Sequence, residues 1–260
     1  MVFNSEFGLR HPRSRISPAA SAKRRTAPAK LVAFSRGRSR GAHGRRGRDG
    51  RRRDVRRDEH GVEHRRRAAV DREVGVDYAK QMLADASSFI WDTFEQPGDG
   101  GDRKPVDAVT LTVEDIDGVA FTSGDGIHLS ARYVGGYSAA GDVRAEVTGV
   151  LYHEATHVWQ WDGRGGADGG LIEGIADFVR LRAGYAPPHW VQPGQGDRWD
   201  QGYDVTARFL DYCDSPAVVQ GFVAQLNGKM KDGYSDDFFV QISGKTIDQL
   251  WQDYKAKYGG

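Results

Sequence analysis

The chain of 260 residues contains very little cysteine and no long run of apolar residues. Its single cysteine, Cys213, excludes an intrachain disulfide and a four-cysteine zinc site. No apolar run approaches the roughly 18 residues that a membrane-spanning helix requires. Cys213 has no evident base to activate it, and we interpret it as a small buried residue of the core. We therefore expect a globular protein with no membrane partner.

The formal net charge of +1 conceals two parts of opposite charge. Residues 1–67 contain 21 of the 37 Lys and Arg residues but only 6 of the 36 Asp and Glu residues. This segment shows no sustained periodicity, and it cannot bury enough apolar surface to offset the entropy cost of ordering. We predict a disordered Arg-rich segment over residues 1–70 and one folded domain over residues 71–260. Leu31–Phe34 is too short to be the apolar core of a signal peptide.

Hydrophobic periodicity from Val76 onwards predicts one helix, three short strands and then several helices. The predicted strands are 106–113, 119–122 and 127–133, and the predicted helices are 77–95, 142–161, 171–183, 199–213, 217–229 and 234–242. A last helix is predicted to begin at Thr246, with Gln249 completing a capping box. This order is typical of an α+β domain with a small sheet and a mostly helical C-terminal half.

His153, Glu154 and His157 form an H-E-x-x-H pattern inside a predicted helix. Residues four apart lie on one helix face, so the two imidazoles can bind one zinc ion. Glu154 projects beside them, where it can act as general base on a water molecule. The same pattern also arises by chance on surface helices that carry two ordinary histidines. Here the surrounding apolar residues predict a packed helix, which favours the metal site.

A catalytic zinc site needs a third protein ligand and one open position. Glu173 follows His157 by sixteen residues, inside a second predicted helix, and Asp177 follows it by four. The two carboxylates therefore share a helix face, either as ordinary surface residues or as parts of the site. Their spacing resembles the third-ligand helix of thermolysin-like peptidases, where the aspartate orients a ligand histidine. We predict Glu173 as the third metal ligand and Asp177 as the residue that orients a ligand histidine.

A peptidase site also needs a group that stabilises the oxyanion. The candidates are Tyr203, His189 and Tyr234, and each could equally be an ordinary core or surface side chain. We prefer Tyr203 as the catalytic partner of Glu154, because it lies in the segment that follows the two metal-binding helices.

Several long blocks between Val76 and Tyr258 resemble the plant basic secretory protein family, also described as peptidases of plants and bacteria. The blocks that carry the resemblance include D-G-V-A-F-T-S, G-V-L-Y-H-E-A-T-H-V-W-Q-W and G-G-L-I-E-G-I-A-D-F-V-R-L. The resemblance implies a zincin-like metallopeptidase fold, Zn²⁺ as cofactor, a peptide or protein substrate, an extracellular location and a role in plant defence. We expect the protein to act as a monomer.

Zincins hold an extended substrate along an edge strand beside the helix that carries the metal motif. Ile127–Tyr133 is our candidate for this strand, because apolar and polar side chains alternate along it.

The resemblance fails upstream of about Val70. The family has a signal peptide and a first strand, approximately V-T-N-T-A-S-S-T-A-G-G, where this chain has D-E-H-G-V-E-H-R-R-R. One GC-rich choice of codons for the second stretch spells the first stretch when the frame is shifted. We therefore interpret the Arg-rich segment as a product of a shifted reading frame.

Two other functions are consistent with the sequence. A zincin scaffold could serve as a secreted defence or binding protein with little proteolytic turnover, although the presence of Glu154 favours an enzyme. The Arg-rich segment could bind the phosphates of a nucleic acid. A shifted frame explains the arginines without such a role, so we expect no nucleic-acid partner.

Overall fold

The computed structural model describes residues 70–96, 101–137 and 141–259, residues 68 and 98, and the backbone of 33–36. Within this part of the chain, the α+β class is confirmed, with a small sheet followed by a mostly helical C-terminal half. In chain order the elements are β1 (Ala33–Arg36), α1 (Val76–Thr93), β2 (Thr110–Glu114), β3 (Ala120–Ser123), β4 (Gly126–Ser130), α2 (Ala131–Gly136), α3 (Val143–Trp159), α4 (Gly169–Arg182), α5 (Tyr203–Cys213), α6 (Phe222–Lys229), α7 (Asp237–Ser243) and α8 (Ile247–Tyr258).

The strands lie in the spatial order β1-β2-β4-β3. β1, β2 and β4 run parallel to one another, and β3 is antiparallel to β4. Leu111, Val113, Ile127 and Leu129 are buried on one face of β2 and β4, as the alternation of a strand requires. β3 is therefore an edge strand of the described sheet, and it lies against helix α3.

Helix α3, which carries the predicted metal motif, is buried on nearly all sides. The Asp142 side chain caps its start by accepting a hydrogen bond from the backbone N–H of Ala145, at 3.0 Å. α1 packs along one side, where the indole of Trp159 donates to the hydroxyl of Ser87 at 3.0 Å. α4 packs along a second side. Contacts on several sides hold the helix, and with it the motif, in one position.

The predicted strand 127–133 is wrong in its second half. The strand ends at Ser130, whose hydroxyl caps helix α2 by accepting a hydrogen bond from the backbone N–H of Tyr133, at 3.2 Å. This local cap outweighs the alternation of apolar and polar side chains that the sequence continues to show. β4 also lies between β2 and β3, so it is not an edge strand that could pair with a substrate.

Most of the segment predicted to be disordered, residues 1–70, lies outside the described residues, and so does its predicted frame change. Ala33–Arg36 form β1 alongside β2, and the division of the chain at residue 70 stays a prediction. The open backbone groups of β2 can pair with any extended segment, whatever its composition. Val70, the residue before the predicted start of the folded domain, is buried in the core.

Several helices begin later than predicted. α5 begins at Tyr203 and not at Trp199, and α6 begins at Phe222 and not at residue 217. Each is preceded by a glycine with positive φ, Gly202 at 94° and Gly221 at 77°. These φ values lie outside the right-handed helical range, so a helix cannot run through either glycine.

The start of α8 agrees with its prediction. The Thr246 hydroxyl and the Gln249 side chain cap each other's backbone N–H groups, which confirms the capping box. Cys213 is buried as expected. Among the described helices, none combines the length and apolar character that crossing a membrane requires.

Candidate metal centre and active site

Helices α3 and α4 bring His153, His157 and Glu173 together. The Nε2 atoms of the two histidines are 3.1 Å apart, and the Glu173 Oε2 atom lies 3.1 Å from His153 Nε2 and 3.5 Å from His157 Nε2. A tetrahedral zinc ion with bonds of about 2.0–2.1 Å separates its ligand atoms by about 3.3 Å. The three atoms therefore have the chemistry and the spacing of one face of a metal tetrahedron, so the cluster can hold a metal ion.

Asp177 lies directly behind His153. Its Oδ1 atom is 2.6 Å from His153 Nδ1, and both side chains are buried. Burial opposes a charge on the imidazole, but the hydrogen bonds to Asp177 and Glu173 outweigh it and raise the pKa of His153 to about 9. In Glu173, burial is likewise outweighed by the two histidines, which lower the pKa of its carboxyl group. The predicted orienting contact of Asp177 is thus present in the structure.

Gln160 lies behind the second histidine, and the sequence reasoning missed it. Its Nε2 atom is 2.8 Å from His157 Nδ1 and donates to the carbonyl oxygen of Ile172 at 3.2 Å. The Gln160 side chain is buried, and its Oε1 atom has no partner in the described part of the chain. One signal was available, because a residue three positions after His157 lies on the same helix face.

Glu154 is buried beside the three candidate ligands. The hydroxyl of Thr122, on β3, is 2.6 Å from its Oε2 atom and 3.0 Å from its backbone oxygen. The Thr122 hydroxyl thus links the edge strand β3 to the predicted base Glu154 by hydrogen bonding. Thr122 precedes Glu154 by 32 residues, and no sequence pattern pointed to it.

A cleft of about 930 Å³ opens over these residues. One side consists of α3 and α4, and we call its polar residues the helix wall: His153, Glu154, His157, Glu173, Asp177 and Arg180. The other side we call the rim, which consists of Val119, Phe121, His189 and Tyr203. The wall extends beyond the candidate metal ligands to a buried ion pair, in which Arg180 Nη2 donates to Glu146 Oε2 at 2.9 Å.

The three oxyanion candidates differ in position. Tyr203 lies on the rim, with its ring parallel to that of His153 at 6.1 Å between centroids. It has a φ of 47°, an uncommon conformation for a non-glycine residue, and the negative charge of Glu173 raises its pKa. His189 also lines the cleft. Tyr234 does not, and its hydroxyl donates to Asp236 at 2.9 Å.

Comparison with known proteins identifies the family of the chain. Residues 54–254 match the family model described as "Peptidase of plants and bacteria". The chain belongs to this family. A relative named "Basic secretory protease", from Boswellia serrata, is 48% identical over 61 residues, which are 24% of this chain and 67% of the relative. No solved structure is significantly similar to the chain.

Family membership confirms the predicted resemblance and gives the chain a protease-type function, with peptides or proteins as substrates. The matched range begins at residue 54, so it includes the last part of the Arg-rich segment.

Proposed function

We propose that the chain is a zinc-dependent metallopeptidase, with His153, His157 and Glu173 as metal ligands and Glu154 as general base. One observation carries the proposal: three donor atoms converge at 3.1–3.5 Å from one another beside a buried carboxylate, at the floor of an open cleft. Structural ion pairs also place carboxylates near histidines. They do not usually point two imidazole nitrogens at one oxygen within a solvent-filled cleft.

The donor set favours zinc over other cations. Two imidazole nitrogens and one carboxylate oxygen are the ligands of known catalytic zinc sites, whereas magnesium and calcium prefer sets made entirely of oxygen. A zinc ion held there would supply a Lewis acid that lowers the pKa of a water molecule toward ~7 and polarises the substrate carbonyl.

The chain's own residues would then move the protons. Glu154 takes a proton from the attacking water and returns it to the leaving amine. Thr122 holds the carboxylate of Glu154 in position through its 2.6 Å hydrogen bond. Tyr203 lies close enough to His153 to donate its hydroxyl hydrogen to the substrate oxygen as negative charge develops there.

Strand β3 replaces Ile127–Tyr133 as the proposed substrate-binding strand. It is an edge strand, it lies against α3, and residues 119–122 line the cleft. Val119 and Phe121 are exposed apolar side chains there. An extended peptide could pair with the backbone of β3 and place alternate side chains against the rim.

Two substitutions test the proposed function. His153→Ala should lose the metal, because two remaining ligands do not complete the site. Glu154→Gln should keep the metal and lose hydrolysis by a factor of about 10²–10⁴, because the amide cannot accept the proton. The measurements are metal content by elemental analysis and cleavage of a peptide mixture, and the expected content is about one zinc per chain.

His128→Ala is a matched control, because His128 lies on β4 and stacks on Phe121 outside the cluster. It should retain the zinc. A His153→Ala protein with full metal content would refute the ligand assignment. A wild-type protein that binds zinc and cleaves nothing would instead support a binding or defence role on the same scaffold.

We also propose that the chain acts outside the cell as a monomer. The name of the Boswellia serrata relative, "Basic secretory protease", supports the location.

A further inference from the structure

The two candidate ligand histidines have chemically different partners behind them. Asp177 is a carboxylate and, when ionised, can only accept a hydrogen bond, so it fixes the imidazole hydrogen of His153 on Nδ1. The metal then has only the proton on His153 Nε2 to displace before it can bind the lone pair of that atom. His157 has the same requirement, but its partner Gln160 is an amide with one donor end and one acceptor end.

The orientation of the Gln160 amide opposes metal binding through His157. Its donor end, Nε2, faces His157 Nδ1 at 2.8 Å and the Ile172 carbonyl oxygen at 3.2 Å. If Nδ1 accepts this hydrogen bond, the hydrogen of the neutral imidazole sits on Nε2, the atom that would bind the metal. The acceptor end, Oε1, is buried without a partner in the described part of the chain.

A rotation of the amide by about 180° reverses this arrangement. Oε1 would then accept a hydrogen bond from His157 Nδ1–H, and His157 Nε2 would offer its lone pair. The same rotation gives up the hydrogen bond to Ile172. One orientation keeps the hydrogen bond to Ile172, and the other lets His157 donate to Gln160. The observed orientation is the first, in which Oε1 has no partner among the described residues.

We propose that Gln160 is a positioning residue that selects the tautomer of His157, and that its amide reverses when His157 binds the metal. The inference rests on the proposed function, since it takes His157 as a ligand. Gln160 thereby makes His157 the adjustable ligand of the pair, whereas Asp177 keeps a hydrogen on His153 Nδ1 with and without the metal.

The test uses the folded chain with zinc as the probe. Gln160→Met keeps the length of the side chain and removes both ends of the amide, and it should lower zinc affinity by about 10–100-fold, as for other partners of ligand histidines. Gln96→Met is the matched control, because Gln96 is also a buried glutamine whose Oε1 has no partner among the residues that the structure describes. Gln96 follows α1 and does not line the cleft. It should leave zinc affinity unchanged.

The tautomer of His157 supplies a second measurement that a merely structural role would not alter. Imidazole ¹⁵N shifts should show the hydrogen on Nε2 in the chelator-treated protein and on Nδ1 in the zinc-loaded protein. Gln160→Glu, whose ionised carboxylate can only accept, should hold the hydrogen on Nδ1 under both conditions.

The outcomes separate the two proposals. Zinc affinity that is equal in Gln160→Met and the parent, or a zinc-loaded His157 without a hydrogen on Nδ1, would overturn the role of Gln160 and leave the metal site intact. Zinc affinity that survives His157→Ala would overturn the ligand assignment itself, and the role of Gln160 with it.

Discussion

The helix wall and the rim line one cleft, and they are built differently. His153, Glu154 and Asp177 on the wall are buried, and each has a hydrogen-bond partner within 2.6 Å. On the rim, Phe121 and Tyr203 are 47% and 57% exposed. A buried charge must be matched by a partner or it destabilises the fold, whereas an exposed side chain needs none.

The two groups of residues therefore differ in the functions they can serve. Wall residues are held in one geometry by their partners, as proton transfer and metal binding require. Rim residues remain available for an incoming substrate. Substitutions on the wall should therefore affect stability, metal binding or, at Glu154, proton transfer, and substitutions on the rim should affect catalysis or substrate binding with little effect on the fold.

The largest effect on stability is expected at Arg180, at the far end of the wall. Arg180→Met leaves the carboxylate of Glu146 buried without its cation, which should lower the free energy of unfolding by about 3–5 kcal/mol. Arg182→Met, in the same helix, removes a half-exposed pair with Asp211 and should cost at most about 1 kcal/mol. Chemical denaturation of both variants measures the difference. Equal losses would remove the distinction between wall and surface.

On the rim, Tyr203→Phe should lower kcat by roughly 10²-fold, because the hydroxyl that stabilises the oxyanion is lost. KM and the melting temperature should change little, since the side chain is mostly exposed. Tyr258→Phe, an exposed tyrosine at the end of α8, is the control and should retain full kcat. An unchanged kcat in Tyr203→Phe would contradict this role and favour His189 as the hydrogen-bond donor to the oxyanion.

The pH dependence of stability should come from the wall. In chelator-treated protein, the pKa of His153 is raised to about 9, so the folded chain holds this proton more tightly than the unfolded chain does. Its stabilising contribution is complete below a pH of about 6.5 and is lost as the pH rises through about 9. Melting temperatures should therefore fall across this window.

Zinc must displace the same proton, so the stabilisation that added zinc gives should grow over the same window. Asp177→Asn should flatten the pH dependence of the chelator-treated protein, because the first partner that raises the pKa is removed. A melting temperature that rises from pH 6.5 to 9 in the parent would contradict the coupling.

The smallest effect is expected at Phe121. Phe121→Ser should raise KM for peptides by up to about tenfold through lost apolar contact, and leave kcat unchanged. The substitution also removes the stack of Phe121 on His128, which should lower the free energy of unfolding by at most about 1.5 kcal/mol. Steady-state kinetics with apolar peptides measure the change. A fall in kcat with constant KM would place Phe121 among the residues that act on the reaction itself.

Much of the site could be predicted from the sequence because its parts are local. His153 and His157 are one helical turn apart, and so are Glu173 and Asp177. Within a helix this spacing fixes the shared face before any packing is known. The capping box at Thr246 was predicted for the same reason.

Other features could not be predicted, because they depend on which elements meet. The alternation of apolar and polar side chains along Ile127–Tyr133 indicated a strand but not its place in the sheet. In the structure, the edge beside α3 is β3 and not this strand. Gln160 directly follows the last residue of α3. Its contact with Ile172 depends on how α3 and α4 pack.

By itself, the sequence determined the identity of the candidate ligands and the base, since periodicity places residues on a helix without reference to the rest of the chain. The sequence predicted that Asp177 orients a ligand histidine, but only the tertiary structure decided that this histidine is His153 and that Thr122 meets Glu154. The residues of these pairs are 24 and 32 positions apart in the chain. The distances between their side chains are set by the packing of α4 and β3 on α3. That packing is a collective result of the core, which no short pattern encodes.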